Sequence, residues 1–167
     1  MGKPLDRPAS RASASPDAAL DEPDGTAAAQ RVAERAAAAM FERDRASQGL
    51  GMRIVEMAPG RARLTMRVRG DMVNGHAICH GGFVFTLADS AFAFACNSHN
   101  HATVAAGATV DFLAPAREGD ELIAEAGEVW RSRRTGIYEV TVTTGQGVKV
   151  ALFRGRAHQI DGTVVDP

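Results

Sequence analysis

A long apolar segment and two shorter alternating segments dominate the pattern of hydrophobic positions along the chain. Residues 61–69 alternate between polar and apolar side chains, and this period of two predicts a strand buried on one face. A shorter strand over residues 53–57 precedes it, with Pro59 and Gly60 as the turn between them. The pattern therefore predicts two successive strands, followed by a loop over residues 70–80.

The long apolar segment runs from Gly81 to Asn97 and carries apolar residues around its whole helical circumference. A helix that is apolar on every side is typical of a buried helix. We therefore predict that this helix forms the core. Asp89 interrupts it about two turns from its start.

Four further strands are predicted after this helix, because apolar stretches alternate with turn residues. They cover residues 103–113, 120–132, 136–144 and 147–158, with turns at Ala114-Pro115, Glu118-Gly119 and Gly145-Gln146-Gly147. One long apolar helix among six strands predicts an α+β fold, in which a twisted antiparallel sheet wraps the helix.

The two ends of the chain differ from this pattern. Residues 1–25 have almost no large apolar side chains, so we predict a disordered tail. Residues 26–47 are rich in alanine and predict an N-terminal helix capped by Thr26. The predicted organisation is one domain over residues 26–160 and a C-terminal tail over residues 161–167.

The composition favours one domain without a broad charged surface. The chain has 167 residues and a formal net charge of −1, which excludes a global attraction to nucleic acid or anionic membranes. We find no secretory signal and no apolar run of the ~20 residues that cross a bilayer, so a soluble cytoplasmic protein is expected. Cys79 and Cys96 are expected to be free thiols.

Asp89 is the first candidate for chemistry. Burial of a lone carboxylate is costly unless the group is paired, hydrogen-bonded or neutral. Asp89 is therefore either a carboxylate kept for catalysis in a dry site or a side chain that caps another element or faces a crevice. Helix periodicity alone does not decide between these two interpretations.

The segment before the helix adds a second candidate feature. Asn74, His76, His80, Gly81 and Gly82 lie at the positive end of the helix, where backbone N–H groups are unpaired. Glycine lets a substrate approach such groups closely, so this end can stabilise an oxyanion during acyl transfer. The alternative is that Gly81-Gly82 only makes a tight turn.

A metal site and a thiol nucleophile are further alternatives. His76, Cys79 and His80 precede the helix, while His99 and His101 follow it, roughly two dozen ångström away at ~1.5 Å per residue. One site cannot easily use both groups, so we predict no metal. A helix N-terminus lowers the pKa of a thiol such as Cys79, but no ordered Cys–His–Asp signature accompanies it.

Seven short motifs occur along the chain at characteristic spacings. They are Asn74-Gly75-His76, Cys79-His80-Gly81-Gly82, Leu87-Ala88-Asp89, Ala95-Cys96-Asn97-Ser98, Val110-Asp111-Phe112-Leu113-Ala114-Pro115, Gly119-Asp120-Glu121-Leu122 and Ala151-Leu152-Phe153-Arg154-Gly155. These motifs and their spacing, over about residues 48–160, resemble those of the hotdog-fold thioesterases of phenylacetate degradation, the hydroxyphenylacetyl-CoA thioesterases.

The resemblance implies a hotdog fold. It also implies an enzyme that hydrolyses acyl-CoA thioesters, with phenylacetyl- or hydroxyphenylacetyl-CoA as substrates. It implies that Asp89 attacks as nucleophile or activates water, and that Gly81 supplies the oxyanion N–H. Asn74 would position the water or hold the thioester, and His80 would support the carbonyl end. It also implies a homotetramer built from dimers, with no metal and no bound organic cofactor.

Geometry suggests that such a site is shared between two chains. Gly81 and Asp89 are eight residues apart on one predicted helix, or about 12 Å at 1.5 Å per residue. Both groups must approach the same thioester carbonyl within roughly 3 Å. Two helices that run antiparallel across a two-fold axis would place Asp89 of one chain beside Gly81 of the other.

Coenzyme A also requires phosphate contacts, and basic residues near turns are candidates. The candidate substrate and coenzyme A ligands are Gly82, Arg133, Arg134, Thr135, Gly136 and Lys149, with Arg131 beside them. An ordinary solvated charge cluster is the alternative.

Two other functions remain open at this point. A hotdog hydratase or dehydratase would use a histidine with an acid, and His76 or His80 with Asp89 can imitate that pair. A non-catalytic acyl-CoA-binding regulator is the third possibility. The fold cannot separate the three.

Overall fold

The computed structural model describes residues 23–166, so most of the predicted tail over residues 1–25 lies outside the described residues. The helices are α1 (Pro23–Arg43), α2 (Arg45–Gly49) and α3 (Gly81–Asn97). The strands are β1 (Arg53–Ala58), β2 (Arg61–Arg67), β3 (Thr103–Phe112), β4 (Glu121–Ser132), β5 (Thr135–Thr144) and β6 (Lys149–Gln159).

The six strands form one antiparallel sheet in the order β1-β2-β4-β5-β6-β3. Helix α3 contacts β2, β3, β4, β5 and β6, so the sheet wraps the helix. The largest fully buried side chains come from both layers: Tyr138, Phe92, Phe94, Phe153, Leu64, Met66, Met72, Leu87, Leu122, Val68, Val140 and Val142. The predicted α+β fold, with a long helix inside an antiparallel sheet, is confirmed.

Helix α3 has the predicted bounds, but one part of the prediction about its burial is wrong. Leu87, Ala88, Ala91 and Phe92 are fully buried, as expected for the face against the sheet. The face that carries Asp89 is only partly covered by the described chain. The apolar pattern identified the helix, but it did not separate the face against the sheet from this half-exposed one.

The predicted N-terminal helix over residues 26–47 is two helices. The first begins at Pro23, because proline is tolerated in a first turn, and Thr26 is therefore not its cap. The second begins after Asp44, whose Oδ1 accepts a hydrogen bond from the Ser47 N–H at 2.9 Å. The local preference of Asp44 for a cap interrupts the alanine-rich pattern.

The strand predictions agree with the structure within two residues at each end. In the segment predicted as a C-terminal tail, residues 161–167, hydrogen bonds to the rest of the domain extend as far as residue 166. The Asn100 side chain accepts hydrogen bonds from the N–H groups of Val164 and Val165. Arg35 donates to the carbonyl of Asp166 at 2.9 Å. This segment therefore packs against α1 and the end of α3.

Strand β3 lies at one edge of the sheet and is exposed along most of its length. It pairs with β6 on one side only, so alternate residues along its length direct their backbone N–H and C=O groups away from the sheet. Val104 and Phe112 near its two ends are about half exposed. A long edge with exposed apolar side chains is a template for pairing with another chain.

Candidate active site

The loop before α3 holds Asn74 in a fixed orientation. The Asn74 Oδ1 accepts a hydrogen bond from the His76 N–H at 2.9 Å, and the Asn74 carbonyl accepts one from the Ala77 N–H at 3.0 Å. Ala77 has a φ of 57°, which closes this tight turn. Since a backbone N–H can bond only to the amide oxygen, the Asn74 NH₂ group remains available to donate to a ligand.

His80 is the N-cap of α3. Its Nδ1 accepts a hydrogen bond from the Gly82 N–H at 3.0 Å. A neutral imidazole that accepts at Nδ1 carries its proton on Nε2, so His80 presents a donor to its surroundings. The same bond occupies the Gly82 N–H, and Gly82 therefore has no free backbone donor for a substrate.

The N–H of Gly81 has no hydrogen-bond partner among residues 23–166. It is one of the unpaired donors at the positive end of a 17-residue helix. Asn74 and Gly81 line the same open groove, which has a volume of about 580 Å³. The other lining residues are mainly apolar: Ile78, Cys79, Val84, Phe112, Leu113, Ala114, Pro115, Ala116 and Val150. An apolar groove with two convergent donors can bind an acyl group by its carbonyl oxygen.

Asp89 does not line this groove. It lies two turns further along α3, about 12 Å from Gly81 at 1.5 Å per residue. Burial raises the pKa of the Asp89 carboxyl, and no neighbouring charge or hydrogen bond in the described chain offsets that effect. The structure therefore brings Asn74 and Gly81 together in one groove, with His80 next to Gly81 as the N-cap but outside the groove lining, and leaves Asp89 apart from them.

The raised pKa of Asp89 gives a signed prediction for pH dependence. A carboxylate that acts as base or nucleophile must be ionised, so kcat/KM should fall in acid at a higher pH than an ordinary aspartate would cause. The folded state also holds this proton to higher pH than the unfolded state does. The Asp89 contribution to the free energy of unfolding therefore decreases as pH rises through the folded-state pKa.

A pH series of kcat/KM, with circular dichroism to exclude acid unfolding, measures the first effect. A profile that stays flat down to about pH 4, where free aspartate titrates, contradicts the assignment of Asp89.

The thiols do not resemble activated nucleophiles. Burial raises the pKa of Cys79, and the charge of Asp120 raises it further. Burial also raises the pKa of Cys96 to about 12. Both thiols are therefore protonated near neutral pH, so the helix N-terminus does not activate Cys79.

The predicted coenzyme A residues are only partly brought together. Arg133 and Arg134 form the β4–β5 turn and Thr135 begins β5. All three line a depression of about 600 Å³. Lys149 pairs with Thr143 at the opposite end of β5, roughly 26 Å away at ~3.3 Å per residue. One phosphate cannot contact both places within one chain.

Gly136 has a packing role in this turn. A Cβ at Gly136 would lie 2.7 Å from the ring of Tyr138, so the glycine makes room for that side chain. Gly136 is also buried. Its backbone, rather than any side chain, is all that it can offer to a ligand.

A polar cluster at the far end of α3 was not anticipated from the sequence. The Glu128 Oε2 accepts hydrogen bonds from the Tyr138 hydroxyl at 2.7 Å and from His99 Nε2 at 2.9 Å, with Arg131 Nε at 3.5 Å. Burial raises the pKa of Glu128, but the two hydrogen bonds together with the charges of His99 and Arg131 outweigh it and hold this pKa below its usual range. The cluster ties α3 to the strand that leads into the β4–β5 turn.

Phe112 and Trp130 were also missed. Phe112 lies in the groove beside Gly81, and Trp130 lies in the depression beside Arg133. Each is a single large apolar residue near a strand end, and no local pattern marks it as functional. Only the tertiary structure places them beside candidate site residues.

Residues 23–166 contain neither a candidate metal cluster nor a membrane-spanning helix. No group of three or more histidine, cysteine, aspartate or glutamate side chains could hold a metal ion in this part of the chain. No helix among these residues is long and apolar enough to cross a membrane.

Comparison with known proteins identifies relatives with the same fold. A family model described as the thioesterase superfamily matches residues 76–151. The acyl-coenzyme A thioesterase PaaI of Escherichia coli (strain K12) is 47% identical over 126 residues, which cover 75% of this chain and 90% of that protein.

Solved structures give the same result. The E. coli PaaI protein from the phenylacetic acid degradation operon is 46% identical, with a TM-score of 0.79 over 80% of this chain and 97% of that chain. The TT0310 protein from Thermus thermophilus is 40% identical, with a TM-score of 0.66 over 68% and 96%. The chain therefore belongs to the thioesterase superfamily, as a hotdog-fold member of the PaaI-like acyl-CoA thioesterase family.

Proposed function

We propose that this protein hydrolyses acyl-CoA thioesters, with aromatic acyl groups such as phenylacetyl as its substrates. The observation that carries the proposal is the apolar groove into which Asn74 and the unpaired Gly81 N–H open. The relative from E. coli is named an acyl-coenzyme A thioesterase, and its structure is titled as a protein of the phenylacetic acid degradation operon. These names support the substrate class.

In the proposed reaction, the thioester carbonyl oxygen accepts a hydrogen bond from the Gly81 N–H. The Asn74 NH₂ group and His80 Nε2–H supply further donors as negative charge develops on that oxygen. The Asp89 carboxylate either attacks the carbonyl carbon or removes a proton from an attacking water. If Asp89 activates water, the C–S bond breaks as the tetrahedral intermediate collapses to the free acid. If Asp89 attacks, C–S cleavage leaves a mixed anhydride on Asp89, which a water molecule hydrolyses to the free acid and the regenerated carboxylate. In both cases the leaving thiolate takes up a proton that the water supplies, which gives the coenzyme A thiol.

We propose that two chains build each site. Support comes from the separation of Asp89 and the groove within one chain, and from the exposed edge strand β3. Pairing of two chains about a two-fold axis would place Asp89 of one chain beside the groove of the other. A dimer of such dimers is the proposed assembly.

The bonding of His80 argues against its use as the histidine base of a hydratase. A histidine base must offer an unprotonated nitrogen to the substrate. In His80 the Nδ1 lone pair is occupied by the Gly82 N–H, and the remaining nitrogen carries the proton. His80 is therefore suited to donate a hydrogen bond rather than to remove a proton from carbon.

Release of free thiol from a panel of acyl-CoA substrates tests the proposed function. Hydrolysis predicts thiol release from phenylacetyl-CoA that depends on Asp89. A change in enoyl absorbance without thiol release would identify a hydratase. Tight binding of acyl-CoA without turnover would identify a regulator, and either outcome would overturn the proposal.

We further propose that Arg133, Arg134 and Thr135 hold phosphates of coenzyme A. Arg134 pairs with Asp161, whereas Arg133 makes no ion pair within residues 23–166. Arg133 has a φ of 20° at the tip of the turn. An unpaired guanidinium beside backbone and hydroxyl donors is suited to a phosphate.

Trp130, the one tryptophan of the chain, reports on this depression. Coenzyme A should change its fluorescence, and Arg133→Ala should raise the Kd by about tenfold or more, since hydrogen bonds to charged groups contribute that much. Arg31→Ala, on the exposed surface of α1, is the matched control. Calorimetric binding of coenzyme A that is unchanged in Arg133→Ala would place the phosphates elsewhere.

A further inference from the structure

The ring of Phe112 lies directly against the backbone of Gly81. The Phe112 Cζ atom is 2.9 Å from the position that a Cβ on Gly81 would occupy, and Cε1 is 3.2 Å from it. Real Cβ atoms essentially never approach another heavy atom within 3.0 Å. A side chain larger than that of glycine at position 81 would therefore displace this ring.

Phe112 is otherwise loosely held. Its side chain is 55% exposed although it ends a strand whose neighbour β6 is largely buried on that face. Ala151, its partner across the sheet, is fully buried. A phenylalanine in an ordinary core position would be covered on all sides. Phe112 instead lines the groove with a ring that is about half exposed.

Among the described residues that line the groove, Phe112 is the one aromatic residue. The other apolar lining residues are aliphatic, among them Ile78, Leu113 and Val150. The ring is also the lining side chain that contacts the residue with the unpaired N–H. An acyl group whose carbonyl is bonded to that N–H must therefore extend past the ring.

We propose that Phe112 is the specificity-determining residue of this groove and that its ring selects planar, aromatic acyl groups. This inference rests on the proposed hydrolysis at Gly81. An aromatic acyl group gains an offset or edge-to-face contact with the ring, which favours it by about 2- to 10-fold beyond the area that it buries. A linear aliphatic chain gains only the free energy of burying its apolar surface.

The test compares kcat/KM for phenylacetyl-CoA and hexanoyl-CoA. Phe112→Leu keeps an apolar side chain of similar length but removes the ring, so the ratio of the two values should fall by about 2- to 10-fold. Phe112→Tyr keeps the ring and should retain the ratio. Leu113→Ala is the matched control, because Leu113 is 53% exposed in the same groove, and it should lower both values without changing their ratio.

A second measurement tests the contact between position 81 and the Phe112 ring. Gly81→Ala keeps the backbone N–H but places a methyl group against the ring, so it should lower activity toward both substrates. Phe112→Ala removes the obstacle. The double variant Gly81→Ala/Phe112→Ala should therefore be less impaired than the product of the two single effects, by at least about 3-fold.

The outcomes separate this inference from the proposed function. An unchanged substrate ratio in Phe112→Leu, with hydrolysis of both thioesters intact, overturns the role of Phe112 alone. Strictly multiplicative effects in the double variant overturn it as well. Absence of thiol release by the unmodified protein overturns the proposed function instead. Thermal unfolding and size-exclusion profiles of each variant verify that the fold and assembly are retained.

Discussion

Replacement of Asp89 by asparagine should lower kcat for phenylacetyl-CoA hydrolysis by about 100-fold or more. The amide keeps the shape of the side chain but can neither attack the carbonyl nor accept a proton from water. A loss of this size lies within the range measured for general acid–base groups. Thiol release under saturating substrate measures it.

Stability should respond in the opposite direction. Burial raises the pKa of Asp89, which means that the ionised carboxylate is less favourable in the folded state than in the unfolded state. Removal of that charge should leave the free energy of unfolding unchanged or increase it. Catalytic residues often lower the free energy of unfolding in this way, so their replacement can stabilise the folded protein.

A matched control shows whether the loss depends on the charge of Asp89 or on the removal of any carboxylate. Glu42→Gln removes one carboxylate from the exposed surface of α1 and should leave kcat unchanged. Turnover by Asp89→Asn close to that of the unmodified protein would refute the catalytic assignment. Loss of folding in Asp89→Asn would instead indicate that the carboxylate stabilises the structure.

Two inactive variants should recover activity when they are refolded together. Asp89→Ala removes the reacting carboxylate, and Asn74→Ala removes a donor from the groove that contains Gly81. A mixed dimer has one site in which both defects coincide and one site that is intact. Random pairing makes half of the dimers mixed, so activity should approach about a quarter of the unmodified value per chain.

The structural basis of this expectation is the separation within one chain. Asn74 and Gly81 line one groove, while Asp89 lies two turns along α3 and outside it. If one chain supplied the whole site, every chain in the mixture would carry a defect and activity would not return. A mixture as inactive as its parents, although mass spectrometry shows mixed dimers, would contradict the shared site.

The elements that were predicted from the sequence depend on local patterns. The bounds of α3 follow from an apolar run that begins after a glycine pair and ends at Asn97. The alternation over residues 61–69 gave β2 because one face of that strand packs on the helix. Asn74, His80 and Gly81 became candidates because backbone N–H groups are unpaired at a helix N-terminus and glycine lets a ligand approach them.

The features that were missed depend on contacts between distant parts of the chain. The sequence separates Gly81 from Phe112 by 31 residues and His99 from Glu128 by 29, so no periodicity links them. The break at Asp44 shows the reverse case, since a local cap overrides a continuous helical pattern. Tertiary packing also decides that one face of α3 stays partly exposed.

The most direct test of the account is turnover of phenylacetyl-CoA in water enriched in ¹⁸O. Hydrolysis predicts equal amounts of free coenzyme A and phenylacetate over many turnovers, with ¹⁸O in the phenylacetate carboxylate and loss of both products in Asp89→Asn. Mass spectrometry of the acid and thiol titration measure these quantities together. Absence of free thiol, or phenylacetate without ¹⁸O, would contradict the conclusion that this protein is a thioester hydrolase.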